Sequence, residues 1–139
     1  GNIRKIAEET ELDKEDTYYS EAAHVFYRDG YYYFTWSKND TRSVDYEVRY
    51  VRSKSPVGPI EPSESQVILC KKPDQGIFAT GHHSVMQLPG KDEWRIVYHR
   101  FKFPDAVTMG RKAGFHREVC IDKMEFDEDG KIKRITPTL

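Results

Sequence analysis

The run Ser20-Glu21-Ala22-Ala23-His24-Val25-Phe26-Tyr27-Arg28-Asp29-Gly30-Tyr31-Tyr32-Tyr33-Phe34-Thr35-Trp36-Ser37 decides the fold. Aromatic and β-branched side chains suit a pleated, half-buried surface, and Asp-Gly between two such runs is a strong hairpin signal. The pattern predicts two dense strands joined at Asp29-Gly30. Glu21 stands at the entry of the first. A carboxylate there is either a solvated strand-end charge or a group held at a site.

Outward from this hairpin the same grammar repeats. After a polar loop over 38–43, Tyr46-Glu47-Val48-Arg49-Tyr50-Val51-Arg52 alternates, with Tyr46, Val48 and Tyr50 on one face and Glu47 and Arg49 on the other. Ser55-Pro56-Val57-Gly58-Pro59 stops that strand, and Gln66-Val67-Ile68-Leu69 reads as a short further one. A second hairpin follows: Gly81 to Leu88, a Pro89-Gly90 turn, then Trp94 to His99. Beyond a loop with Pro104 and Gly110, the segment from Arg117 to Phe126 alternates again. Asp127-Glu128-Asp129-Gly130 then turns the chain into Lys131-Ile132-Lys133-Arg134-Ile135. No long helical period appears. Residues 1–17 read as a charged connector, with Ile3, Ile6 and Leu12 supporting no more than a turn of helix.

The order of elements makes a weak internal repeat. Glu21 and His82 lie 61 positions apart, each opening a strand. Each is followed by a glycine-containing turn, an aromatic-rich strand and an alternating third strand. Such a period, with about four short strands per unit, is the signature of propeller blades. A plain antiparallel meander produces similar spacing by chance; the agreement in order favours blades. The expected fold is therefore all-β, with residues 18–139 forming about two blades of a β-propeller plus partial flanking strands. Propellers close with about four to eight blades. Two alone expose apolar faces and open edges, which further blades of a longer chain or a second copy must cover.

Composition removes several function classes. A net charge of −1 over 139 residues gives no electrostatic footprint for nucleic acid or an anionic membrane. No apolar run approaches the roughly 18 residues of a spanning helix, no signal peptide is read, and Gly1-Asn2 reads as a cloning scar or an internal start. Cys70 and Cys120 lack metal-ligand spacing and read as two small buried hydrophobes, with a disulfide as the alternative in an exported protein.

In a propeller the first strand of each blade lines the central channel. Glu21 and His82 or His83 would thus converge on one pocket. Acid-base chemistry wants a carboxyl group in a partly dry pocket, where burial keeps its proton available near neutrality. Taken singly, each of these residues is also explained as an ordinary surface charge or a structural imidazole.

The stretch from Glu21 to Phe34 resembles the strand that carries the general acid in glycoside hydrolase family 43. Ser53-Lys54-Ser55-Pro56-Val57-Gly58-Pro59 is similar to the Ser-Pro-x-Gly-Pro element of that family. Ala79-Thr80-Gly81-His82-His83-Ser84-Val85, with Trp94 to His99, is similar to its central histidine strand. Arg117 to Met124, with Asp127 to Gly130, resembles its last blade. Four elements in the right order, from about residue 18 to the C-terminus, make the resemblance specific.

The resemblance implies a five-bladed propeller that cleaves arabinofuranosyl or xylosyl linkages by inversion, of which this chain is the C-terminal portion. Glu21 falls on the general acid. His82 falls on the histidine at the channel centre, beside which many members hold a cation or a water cluster. Arg117 falls on an arginine that reaches toward the sugar. His83 and Arg111 have no firm match. No metal ligand set can be placed, because a hard cation wants several oxygen ligands. The family's two other carboxylates belong to earlier blades, and neither role is carried onto Asp13 or Asp16. The chain alone is therefore expected to be inactive. The implied partners are an arabinose- or xylose-containing plant-type glycan and the remaining blades, or a second copy. Glycan-degrading proteins are usually exported, although nothing in these residues shows it. A different class of function is a non-catalytic carbohydrate-binding module, in which Tyr31, Tyr32, Tyr33 and Trp36 form a stacking platform. The competing reading makes the alternating members of that run core.

Overall fold

The computed structural model describes residues 19–139. The charged connector expected over 1–17 lies outside them. Among the described residues, seven strands form two antiparallel sheets. The first holds β1 (Glu21–Arg28), β2 (Tyr31–Lys38), β3 (Glu47–Ser53) and β4 (Gln66–Leu69) in that order. The second holds β5 (Gly81–Gln87), β6 (Trp94–Phe101) and β7 (Arg117–Met124). The only helical pieces among the described residues are short 3-10 turns, and none is long and apolar enough to cross a membrane. This is the all-β, two-blade arrangement that the repeat implied.

The first hairpin closes as its sequence dictates. Asp29 and Gly30 adopt φ of 48° and 83° between paired Arg28 and Tyr31. Two consecutive left-handed residues are what a two-residue hairpin needs to match strand twist, and Asp-Gly tolerates them. The second hairpin is looser: Leu88 N–H still bonds Glu93 O at 2.8 Å, so Pro89-Gly90 sits in a four-residue loop over 89–92.

β2 runs through the middle of its sheet, and Tyr33, Phe34, Thr35, Trp36 and Ser37 are all buried. Tyr33 is fully inaccessible and Trp36 is 3% exposed, so neither is available to stack on a sugar. They belong to the core instead. On β3 and just before it, the expected face of Tyr46, Val48 and Tyr50 is buried, while Glu47 and Arg49 pair with each other at 2.8 Å on the wetter side.

One core unites the sheets. Phe26 of β1 stacks on Tyr33 at 4.8 Å and meets Trp94 of β6 at 5.0 Å, with Phe126 edge-on to all three rings. Val48, Ile68, Leu69, Val85, Ile96 and Met124 fill the space around them. At one end Arg28 grips Asp92 through two hydrogen bonds of 3.0 and 2.6 Å while its guanidinium lies over Phe126.

The turn expected over 127–130 forms, and beyond it the chain pairs back through the Phe126–Ile132 bridge. Ile132 N–H reaches the Tyr50 hydroxyl, and Ile135 N–H bonds Ile68 O of β4 at 2.8 Å. The cause is apolar: Ile132 and Ile135 are both buried in the inter-sheet core, and their burial pulls the backbone across to the other blade. The two cysteines are free and only half-buried, not fully interior as their type implied; Cys120 packs on the core edge and Cys70 accepts a contact from Arg134.

Candidate active site

Both blades break register near the start of their first strand. In β1 the pairing slips by one residue between Glu21 and His24, and in β5 between Gly81 and Ser84. Each slip is a bulge with a left-handed residue inside it, Ala22 at φ 60° and His82 at φ 49°. Such non-glycine residues carry strain of about 1–3 kcal/mol each and cluster where a side chain must be re-aimed. The structural equivalents across blades are thus Glu21 with Gly81 and Ala22 with His82, a shift of one from the alignment by strand openings.

The bulges bring the two first strands together. His82 N–H donates to Ser37 Oγ at 2.9 Å, and Ser37 is the β2 partner of Glu21. His82 Nδ1 lies 3.6 Å from Glu21 Oε1, too long for a direct hydrogen bond. Glu21 and His82 side chains are 43% and 55% exposed, so the described residues wall only part of this pocket.

Behind them lies a buried layer. Tyr46 O–H donates to Glu21 Oε1 at 2.7 Å. Burial, then the hydrogen bond to Glu21, pushes the Tyr46 hydroxyl well above the ordinary phenol range, which keeps it a neutral donor. The Tyr46 ring lies parallel to that of His99 at 6.1 Å, and His99 lies parallel to His82 at 5.5 Å. Arg117 Nε donates to His99 Nδ1 at 2.7 Å. Burial, then the Arg117 charge, depresses His99 to about 4, so its ring is neutral and accepts that bond. Arg117 also donates to Thr41 O and Ala79 O at 2.6 and 2.9 Å. Three of the five guanidinium N–H groups are thus committed to holding the loops around the pocket.

His83 points the other way, into the seam between blades. It is 5% exposed and its Nε2 meets Thr35 Oγ1 at 2.7 Å. Of the adjacent pair, His82 is therefore the one at the pocket. Arg111 is exposed in the 3-10 turn Gly110–Phe115. Among the described residues no three His, Cys, Asp or Glu side chains gather as metal ligands.

A family model for glycosyl hydrolases family 43 matches residues 2–132. The chain belongs to that family. It is 35% identical over 121 residues to a β-D-galactofuranosidase of Aspergillus niger, covering 87% of this chain and 33% of the relative. It is 34% identical over 107 residues to a non-reducing end α-L-arabinofuranosidase of Bacteroides ovatus, covering 76% of this chain and 19% of the relative. Among solved structures, a thermostable family-43 glycoside hydrolase superposes with a TM-score of 0.69 at 34% identity, over 85% of this chain and 35% of the other. The chain thus spans about a third or less of these relatives, and its two sheets are blades of the family 43 propeller.

The family 43 strands carry two site residues that the sequence left as plain strand positions, Tyr46 and His99. Tyr46 read as one more apolar member of an alternating face. Its only distinguishing signal was an OH on a buried position, which demands a partner.

Proposed function

We propose that this segment supplies the general acid, Glu21, to a family 43 glycosidase that cleaves arabinofuranosyl or xylosyl linkages with inversion. The observation that carries the reading is the Glu21 carboxyl group, fixed on one oxygen by Tyr46 and facing His82 where the first strands of two blades meet. A carboxylic acid so placed protonates the departing glycosidic oxygen as its bond to the anomeric carbon breaks. A second carboxylate activates water on the opposite face, roughly 6.5–9.5 Å away in inverting enzymes. That base and the remaining pocket walls come from the rest of the protein, so the segment alone is inert. The exposed apolar side chains of β7, Val119 and Ile121, are where a further blade packs.

His82 presents its half-exposed ring to the sugar. Arg117 holds the pocket loops with three N–H groups and has two left to reach the substrate. The test is turnover of aryl arabinofuranosides and xylosides by the full-length protein and its Glu21→Gln variant. Loss of turnover is expected. Equal turnover in the variant removes Glu21 from the chemistry.

A further inference from the structure

Tyr46 reaches Glu21 only because of what is missing from the second blade. Gly81 is the structural equivalent of Glu21, and a Cβ there would lie 2.2 Å from Tyr46 Cε1 and 2.4 Å from Cδ1. No side chain fits at 81 while the Tyr46 ring crosses β5. Gly81 is not in the left-handed region, so space and not backbone freedom is what requires glycine.

The ring therefore lies flat across the start of β5, parallel to His99 and with the Arg117 guanidinium 5.7 Å from its centre. Its O–H donates to Glu21 Oε1 at 2.7 Å. His82 N–H of the second blade donates to Ser37 Oγ, on the residue that pairs with Glu21.

We propose that Tyr46 is the positioning residue that decides which oxygen of Glu21 carries the transferable proton, with Gly81 as the gap that admits it. This rests on Glu21 being the general acid. Oε1 is held as an acceptor, so the proton rides on Oε2. As it passes to the glycosidic oxygen, the O–H bond electrons stay on the carboxyl group. The C–O bond electrons go to the leaving oxygen, and the activated water supplies the new bond to the anomeric carbon. The carboxylate that appears strengthens the Tyr46 bond from a neutral to a charge-assisted one, so the hydroxyl helps most as the proton leaves.

The test uses the full-length protein and two aryl glycosides of one sugar, the arabinofuranoside, xyloside or galactofuranoside that the wild type turns over. One carries 2,4-dinitrophenol, which departs with little protonation, and the other carries phenol, which needs it. The readout is the ratio of kcat/KM for the activated over the unactivated substrate. Glu21→Gln raises this ratio. Tyr46→Phe raises it too, by about tenfold to a hundredfold, the scale of one hydrogen bond to a charged group. Gly81→Ala moves it in the same direction by displacing the ring. If Tyr46→Phe does not accumulate as folded protein, Gly81→Ala alone is read the same way. A raised ratio in Glu21→Gln with an unchanged ratio in Tyr46→Phe overturns the positioning role. An unchanged ratio in Glu21→Gln overturns the acid assignment beneath it.

Discussion

His83 of the second blade and Thr35 of the first meet at 2.7 Å between Nε2 and Oγ1, inside the seam that joins the sheets. Thr35 Oγ1 already donates to His24 O at 2.9 Å, so it must accept from the imidazole, and His83 carries its proton on Nε2. His24 in turn accepts from Val85 N–H through Nε2. This reciprocal set fixes how one blade sits on the other, and with it the distance between Glu21 and His82. Thr35→Val keeps the shape and leaves His83 Nε2–H unpaired. The expected cost is about 1–3 kcal/mol of stability, read as a lower denaturant midpoint, while Thr35→Ser stays near the wild type.

The same histidine sets a pH dependence. Burial depresses His83 to about 3, with His24 and His82 adding to the shift, and His99 sits at about 4. Both folded values lie below the unfolded histidine value near 6.5. The unfolded chain therefore binds more protons in this range. Stability is fully present above about pH 6.5, and falls as pH drops toward 4 and then 3. The slope is about 1.4 kcal/mol per pH unit for each proton taken up, discounted for the half-buried His99. Denaturant midpoints across pH 3.5–7.5 check it, and His83→Gln flattens the curve.

Arg117 is worth more than its charge. Its planar fork serves His99, Thr41 and Ala79 at once, over the rings of Tyr46 and Phe101. A lysine ammonium cannot reproduce three diverging bonds. Arg117→Lys is expected to lower stability by about 1–3 kcal/mol and to reduce turnover with it. A variant that binds substrate weakly but unfolds like the wild type would assign Arg117 to the sugar alone.

At the other end of the seam, Ile135 is 7% exposed and its amide bonds β4 from beyond β7. Ile135→Ala is expected to cost about 2–4 kcal/mol through the lost burial and the cavity left behind. Thermal unfolding measures it. A change below about 0.5 kcal/mol, the scale of a surface substitution, would mean that this segment does not clamp the blades.

Much of this architecture is legible from local pattern. Asp29-Gly30 fixes a turn because two left-handed residues are needed there, and the alternation around Val48 fixes a face because strands have period two. Glu21 and His82 could be placed together because strand openings in a repeat share an end of the blade. What local pattern does not carry is the side-chain traffic between blades. Tyr46 is two strands from Glu21 in sequence and looks like core, and nothing at position 81 says that its glycine exists for a ring on another sheet. Nor does the turn signal at 127–130 say that Ile135 beyond it is buried against β4. The one-residue bulges escape too, because a slip that re-aims a side chain leaves the hydrophobic period on either side intact.

The most direct measurement is kcat/KM of the full-length protein against its Glu21→Gln variant, on the unactivated aryl glycoside. With Glu21 as the proton donor, the variant drops by about 10²–10⁴-fold. A variant within a few-fold of the wild type contradicts the account.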